Sequence, residues 1–111
     1  MGSLLLISAS VVLTNATAEV LLSPPLTHKQ TVRWDRIVGR DYTNTGTRTE
    51  LVLSLAGNHR LLKAGVQAHA GDTLNTDTPV YATGDWRVGV IVYGGTDGDV
   101  IELAAYGEVV E

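Results

Sequence analysis

The 111-residue chain contains no cysteine, no phenylalanine and a single methionine. Without cysteine there is no disulfide framework and no thiolate metal site, and the redox compartment is left open. Without phenylalanine the core has to be built from Leu, Val, Ile and Ala, with two Trp and four Tyr as its large pieces. Charged residues make up only 18%, and no segment shows a long helical period. The Leu4–Leu13 stretch is too short, and too interrupted by Ser8 and Ser10, to span a membrane.

What is present favours strands. Apolar residues reach 44%, enough for the chain to fold, and the length suits one domain. Gly, Thr and Val are abundant, which favours strands and turns over helices. The last third appears as the organising element. From Trp86, residues Val88, Val90 and Val92 alternate with Arg87, Gly89, Ile91 and Tyr93, the period-two pattern of a strand. Gly94-Gly95-Thr96-Asp97-Gly98-Asp99 is a turn, and Val100–Val110 is again extended. A closing hairpin is expected, with both strands central because both faces are apolar.

Earlier segments read as shorter strands. Leu4–Leu13 is one or two strands, or residues 1–14 form an extended arm. The alternative is a signal peptide, with Ala16-Thr17-Ala18 as a cleavage site, but no Lys or Arg precedes the apolar stretch. Asn15-Ala16-Thr17 matches a glycosylation acceptor. Pro24-Pro25 ends a strand at Ala18–Leu22. Lys29–Tyr42 is a long strand of mixed pattern with a bulge expected near Gly39. Arg48–Ala56 and Arg60–Ala70 form a hairpin across Gly57-Asn58-His59. The sum is an all-β fold: one antiparallel β-sandwich over residues 1–111, of about eight strands, jelly-roll-like.

Charge is unevenly distributed. Residues 1–70 hold seven Lys/Arg against four Asp/Glu; residues 71–111 hold one Arg against eight Asp/Glu. A net charge of −4 argues against non-specific nucleic-acid binding. The asymmetry suits a contact between copies in which Arg33, Arg36 and Arg40 meet Asp97, Asp99 and Glu102 of a neighbour. Arg33, Trp34, Arg36 and Arg40, with Tyr42, are the candidate partner or glycan contact, by stacking and guanidinium bonding. The bland reading is a strand with an aromatic core side and a wet Arg side.

Signals for chemistry are weak. His28, His59 and His69 stand apart, with no H-x-H spacing. Asp97-Gly98-Asp99 offers calcium too few oxygens alone, and Asp72, Asp77 and Asp85 add ligands only if loops converge. No G-x-S-x-G elbow is present. The expectation is a protein without catalysis, metal or cofactor.

The layout resembles a known family. The long strand K-x-T-V-x-W-x-x-I-x-G-R (Lys29–Arg40) is followed by A-G-D-T-L (Ala70–Leu74), T-P-V (Thr78–Val80), G-D-W-R-V-G-V (Gly84–Val90) and G-D-V-I-E-L-A-A-Y-G (Gly98–Gly107). The chain is similar in this to small β-sandwich structural proteins of tailed bacteriophages, of the capsid decoration or cement type. The resemblance implies a virion protein on the capsid surface that self-associates, most often as a trimer, and binds the major capsid protein. The alternative is a secreted carbohydrate-binding or adhesin-like module, or a tail or fibre component, using Trp34, Trp86 and the tyrosines. Neither reading involves nucleic acid or membrane.

Overall fold

The computed structural model describes residues 4–14, 19–24, 30–45 and 48–110. The acceptor tripeptide at Asn15, the Ala16–Ala18 cleavage-like site, Pro25 and His28 lie outside the described residues. Among the described residues there are nine strands: β1 (Leu4–Val12), β2 (Glu19–Leu22), β3 (Thr31–Asp41), β4 (Arg48–Leu55), β5 (Asn58–Gly65), β6 (Leu74–Asn75), β7 (Val80–Thr83), β8 (Arg87–Tyr93) and β9 (Val100–Val109). They form two antiparallel sheets. One has the order β1-β9-β3-β6, with β7 also on β3; the other has β2-β8-β4-β5.

The short strands β6 and β7 share one lateral position along β3, so the sandwich has eight strand positions. Successive strands alternate between sheets except within the β4–β5 and β6–β7 pairs. That is the double Greek key of a jelly roll. Leu4–Val12 is the first strand, hydrogen-bonded along its whole length to β9, rather than a detached arm.

The closing hairpin expected from the sequence is absent. β8 and β9 lie in different sheets, and residues 94–99 carry the chain from one layer to the other. The period-two pattern and central placement are correct, since β8 lies between β2 and β4 and β9 between β1 and β3. A Gly/Asp turn reverses a chain equally well within a sheet or between two, so the sequence pattern does not distinguish the two pairings. The β4–β5 hairpin does form, with its turn at Ala56-Gly57, both at positive φ (51° and 83°), as the tight hairpin turns matching strand twist require.

The core lies between the sheets. Val32, Trp34 and Ile37 of β3 and Ile101, Leu103, Ala105 and Val109 of β9 face Leu51 and Leu53 of β4 and Val88, Val90 and Val92 of β8. At Gly39 the layers approach so closely that an added Cβ would stand 2.8 Å from Val90 Cγ2 and 2.9 Å from Leu51 Cδ2. Ile7, Val11, Leu21, Leu62, Val80 and Trp86 close the sides.

Candidate functional site

A bulge decides which residues reach the surface. The β3–β9 register shifts between Trp34 and Arg36, so Asp35 is the extra residue. Strict alternation would place Trp34 and Arg36 on one face. The bulge instead turns Val32 and Trp34 inward, then Ile37, Gly39 and Asp41, leaving Arg33, Arg36, Val38 and Arg40 outward. The irregularity lies at Asp35, four residues before the expected position at Gly39. Gly107 sits opposite it, where a Cβ would collide with the Arg33 carbonyl and Trp34 backbone, so β9 needs glycine there.

The three arginines thus share one outer face with the outward residues of β9. Arg40 Nε donates to Glu102 Oε1 at 2.6 Å, its Nη1 donates to the Gly71 carbonyl, and its guanidinium lies 4.7 Å from the Tyr42 ring centre. Arg33 bonds Asp35 at 2.7 Å and approaches Glu108 at 3.8 Å. Arg36 is exposed. The basic front and acidic rear of the sequence are therefore adjacent strands of one sheet, and much of their charge pairs within the chain.

Between β1, β9 and β3 this face forms a groove of about 590 Å³. Val38 and Ala104 give it a small-residue floor, Ser8, Ser10 and Thr73 contribute hydroxyls, and the Arg40–Glu102 pair is also part of its lining. Tyr81 and Tyr106 are exposed, both outward next to Arg33 and Arg36 in the register.

Two residues expected at a partner contact are not on the surface. Trp34 is 1% exposed and belongs to the core; the bulge, invisible in the sequence, sends it inward. Asp99 is likewise 1% exposed. It faces Asp41, which is 0% exposed, at one end of the sandwich. Asp41 Oδ1 accepts the main-chain N–H groups of Thr43 and Asn44. Asp99 accepts the Asn44 side-chain amide at 2.6 Å and the Thr96 N–H at 3.0 Å. Burial, and then the hydrogen bond shared with Asp99, push the Asp41 carboxyl up to about 6. Burial alone would raise Asp99 too, but its bonds from Asp41 and Asn44 and from the Thr96 N–H hold it below its ordinary value. Geometry alone leaves Asp41 Oδ2 without a donor. A proton held on Asp41 and shared with Asp99 satisfies both observations. Gln67 locks the cluster, accepting the Asp41 N–H and donating to the carbonyls of Asp41, Asn44 and His69.

Asp97 is exposed. The other carboxylates considered for calcium go elsewhere: Asp72 to the His69 N–H, Asp77 to Lys63, Asp85 to the Thr83 hydroxyl. Among the described residues no three His, Cys, Asp or Glu side chains converge on one point. Sequence reasoning missed Asp41, Asn44 and Gln67. Their only signal was the inward parity of Asp41, which becomes visible once the bulge is placed.

No protein-family profile matches the chain, and no curated protein matches it. Solved structures share its fold at low identity. A Bacteroides thetaiotaomicron protein assigned as an alpha-L-fucosidase superposes over 88% of this chain with a TM-score of 0.56 and 13% identity. This chain spans only 21% of that protein. PirA superposes over 88% of this chain and 92% of its own, with a TM-score of 0.51 and 14% identity. The disulfide-linked pili of Bacillus endospore appendages align over 98% of this chain and 91% of theirs, with a TM-score of 0.48 and 11% identity. The first two likenesses are of fold alone. Among the described residues no helix is long and apolar enough to cross a membrane.

Proposed function

We propose that the protein is a non-enzymatic structural module that works by association, copies joining one another and docking on a larger protein shell as a component of a virion surface. One observation supports this above others. β1 is a nine-residue strand at the edge of its sheet, and Leu6 and Val12 stand 78% and 55% exposed on it. It carries no charged residue and no proline, the usual guards of an open edge. The other long edge, β5, is guarded: it carries Arg60 and Lys63 and a bulge between Leu61 and Lys63. An unguarded edge of this kind is a natural place for contact with another chain. The resemblance to decoration proteins supplies the shell as second partner. Sedimentation of the full chain from micromolar to millimolar concentration, alone and with purified phage capsids, is the test. Concentration-dependent association or capture by capsids is expected. A strict monomer that ignores capsids would sink the reading.

A second reading is favoured by the groove beside β1. Its hydroxyls, the Arg40–Glu102 pair and nearby exposed tyrosines are groups that bond and stack on sugars. A glycan array decides it: selective binding lost on Glu102→Ala would move the protein into that class.

A further inference from the structure

The open edge of β1 is self-complementary, and we infer that two copies pair antiparallel through it with Ala9 on the two-fold axis, forming one continuous sheet across the dimer. The inference rests on the self-association reading and specifies its geometry.

The free hydrogen-bonding groups can be assigned. Tyr42 N–H donates to the Val100 carbonyl, so even-numbered residues in this part of β9 turn their main-chain groups toward β3. Odd-numbered ones turn theirs toward β1, where Ile101, Leu103 and Ala105 oppose Val11, Ala9 and Ile7. The Leu13 N–H, bonded to the Asp99 carbonyl at 2.8 Å, fits this alternation. The even-numbered residues of β1 therefore present N–H and C=O to the open edge, where no described strand pairs with them. Their side chains Leu6, Ser8, Ser10 and Val12 are all exposed.

The sequence Leu6-Ile7-Ser8-Ala9-Ser10-Val11-Val12 reads alike in both directions by chemical type. With Ala9 on the axis, Leu6 faces Val12, Ile7 faces Val11 and Ser8 faces Ser10 of the second copy. Every apolar residue meets an apolar one, and hydroxyl meets hydroxyl. Moving the axis to Ser8 sets Leu6 against Ser10; moving it to Ser10 sets Val12 against Ser8. Even residues then oppose even ones and donate roughly eight inter-chain hydrogen bonds, while Ala9 and its copy form a non-hydrogen-bonded pair. The same patch serves both subunits, as closed two-fold symmetry requires. Like charges do not meet, because this segment has none.

The absence of native cysteine makes the register directly testable. In a non-hydrogen-bonded pair the Cα atoms stand about 4.5 Å apart, and in a hydrogen-bonded pair about 5.5 Å, both within disulfide reach. The full-length Ala9→Cys protein, oxidised under native conditions, is expected to run as a covalent dimer. Ser8→Cys and Ser10→Cys are each expected to give no covalent dimer under the same oxidation, since neither thiol faces its own copy. Mixed together with tags of different size, they are expected to give the heterodimer. Ser10→Lys changes an exposed residue, so at concentrations where the wild type is monomeric its melting temperature should be unchanged, while the dimer formed at higher concentration is lost in sedimentation. Covalent dimers from Ser8→Cys alone or Ser10→Cys alone would overturn the register. A wild-type oligomer that none of these variants cross-links, and that survives Ser10→Lys, would overturn the pairing while leaving self-association standing. A wild-type monomer at every concentration would remove both.

Discussion

Strands β3 and β9 build two very different interiors. Through the middle of the sandwich their inward residues are Val32, Trp34 and Ile37, and Ile101, Leu103 and Ala105, all buried hydrocarbon or aromatic ring. At one end the same inward rows present Asp41 and Asp99, buried just as completely. The difference lies in where backbone donors are available. In the middle, the main-chain N–H groups are engaged in the ladders on either side, so a buried carboxylate would find no partner. At the end, the turns after β3 and before β9 release the N–H groups of Thr43, Asn44 and Thr96, and all three point at carboxylate oxygens. Polar burial is tolerated where the ladders stop, and there it fastens the loops together.

The contrast breaks most severely if a third carboxylate is placed in the middle. Val90 is 0% exposed and central in β8. Val90→Asp should cost on the order of 5 kcal/mol, comparable to the stability of a whole domain of this size. Neither a soluble product nor a cooperative melt is expected. A cooperative thermal transition would mean the middle can satisfy a charge after all.

Gln67→Ala attacks the other side of the comparison. It orphans the buried N–H of Asp41 and takes a donor from three carbonyls. About 3 kcal/mol should be lost, read as a lower denaturant midpoint, with amide exchange accelerated first around residues 41–44. Gly39→Ala asks for less. Its new methyl meets side chains rather than backbone, and Val90 and Leu51 have to shift to admit it. A loss of about 1–2 kcal/mol is expected, as for overpacking generally, and equilibrium unfolding measures it.

The middle was legible in the sequence and the end was not. Val88, Val90 and Val92 announce an inward row by period alone, and Leu51 and Leu53 do the same for β4. Hence the antiparallel sandwich could be read, while strand order, and with it the jelly-roll path, is not written in periodicity. The carboxyl pair could not, for two reasons. Alternation predicts the faces of a strand only while the register holds, and Asp35 shifts it without any sequence mark. Trp34, counted as a contact residue, went into the core by that shift. The partner Asp99 sat in a Gly/Asp turn that also fits plain solvent exposure. Which sheet a strand joins is similarly silent: β8 and β9 look like a hairpin because pairing depends on the path of the turn, not on the strands it links. The outward arginines were identified, but their acidic partners were sought on a neighbour, since sequence distance hid that β3 and β9 are adjacent.

The smallest expected effect is the one that separates the two interiors by pH. Asp41 holds its proton up to about 6 in the folded chain, above the ordinary value near 3.9 that it regains on unfolding. A raised carboxyl favours the fold fully below its unfolded value, and that advantage is lost as pH rises through the folded value. Asp99 is shifted the other way, so its contribution is present above its ordinary value and lost as pH falls through the lowered one. Together they place the most favourable pH near the ordinary carboxyl value of about 4, with the chain weakening as pH rises from there through about 6. Asp41→Asn imitates the protonated acid: its oxygen keeps the Thr43 and Asn44 N–H bonds, and its amide can donate toward Asp99. The variant should be more stable than the wild type at pH 7.5 by about 1–2 kcal/mol, a gap that closes only as pH falls to about 4, where the unfolded wild-type carboxyl also takes up its proton. Its denaturant midpoint should lose the decline between those two values, while Val88, Val90 and their neighbours, with nothing to titrate, contribute none of it. An undiminished decline in the Asn variant would show that the pH dependence arises elsewhere and that Asp41 is ionised in the fold.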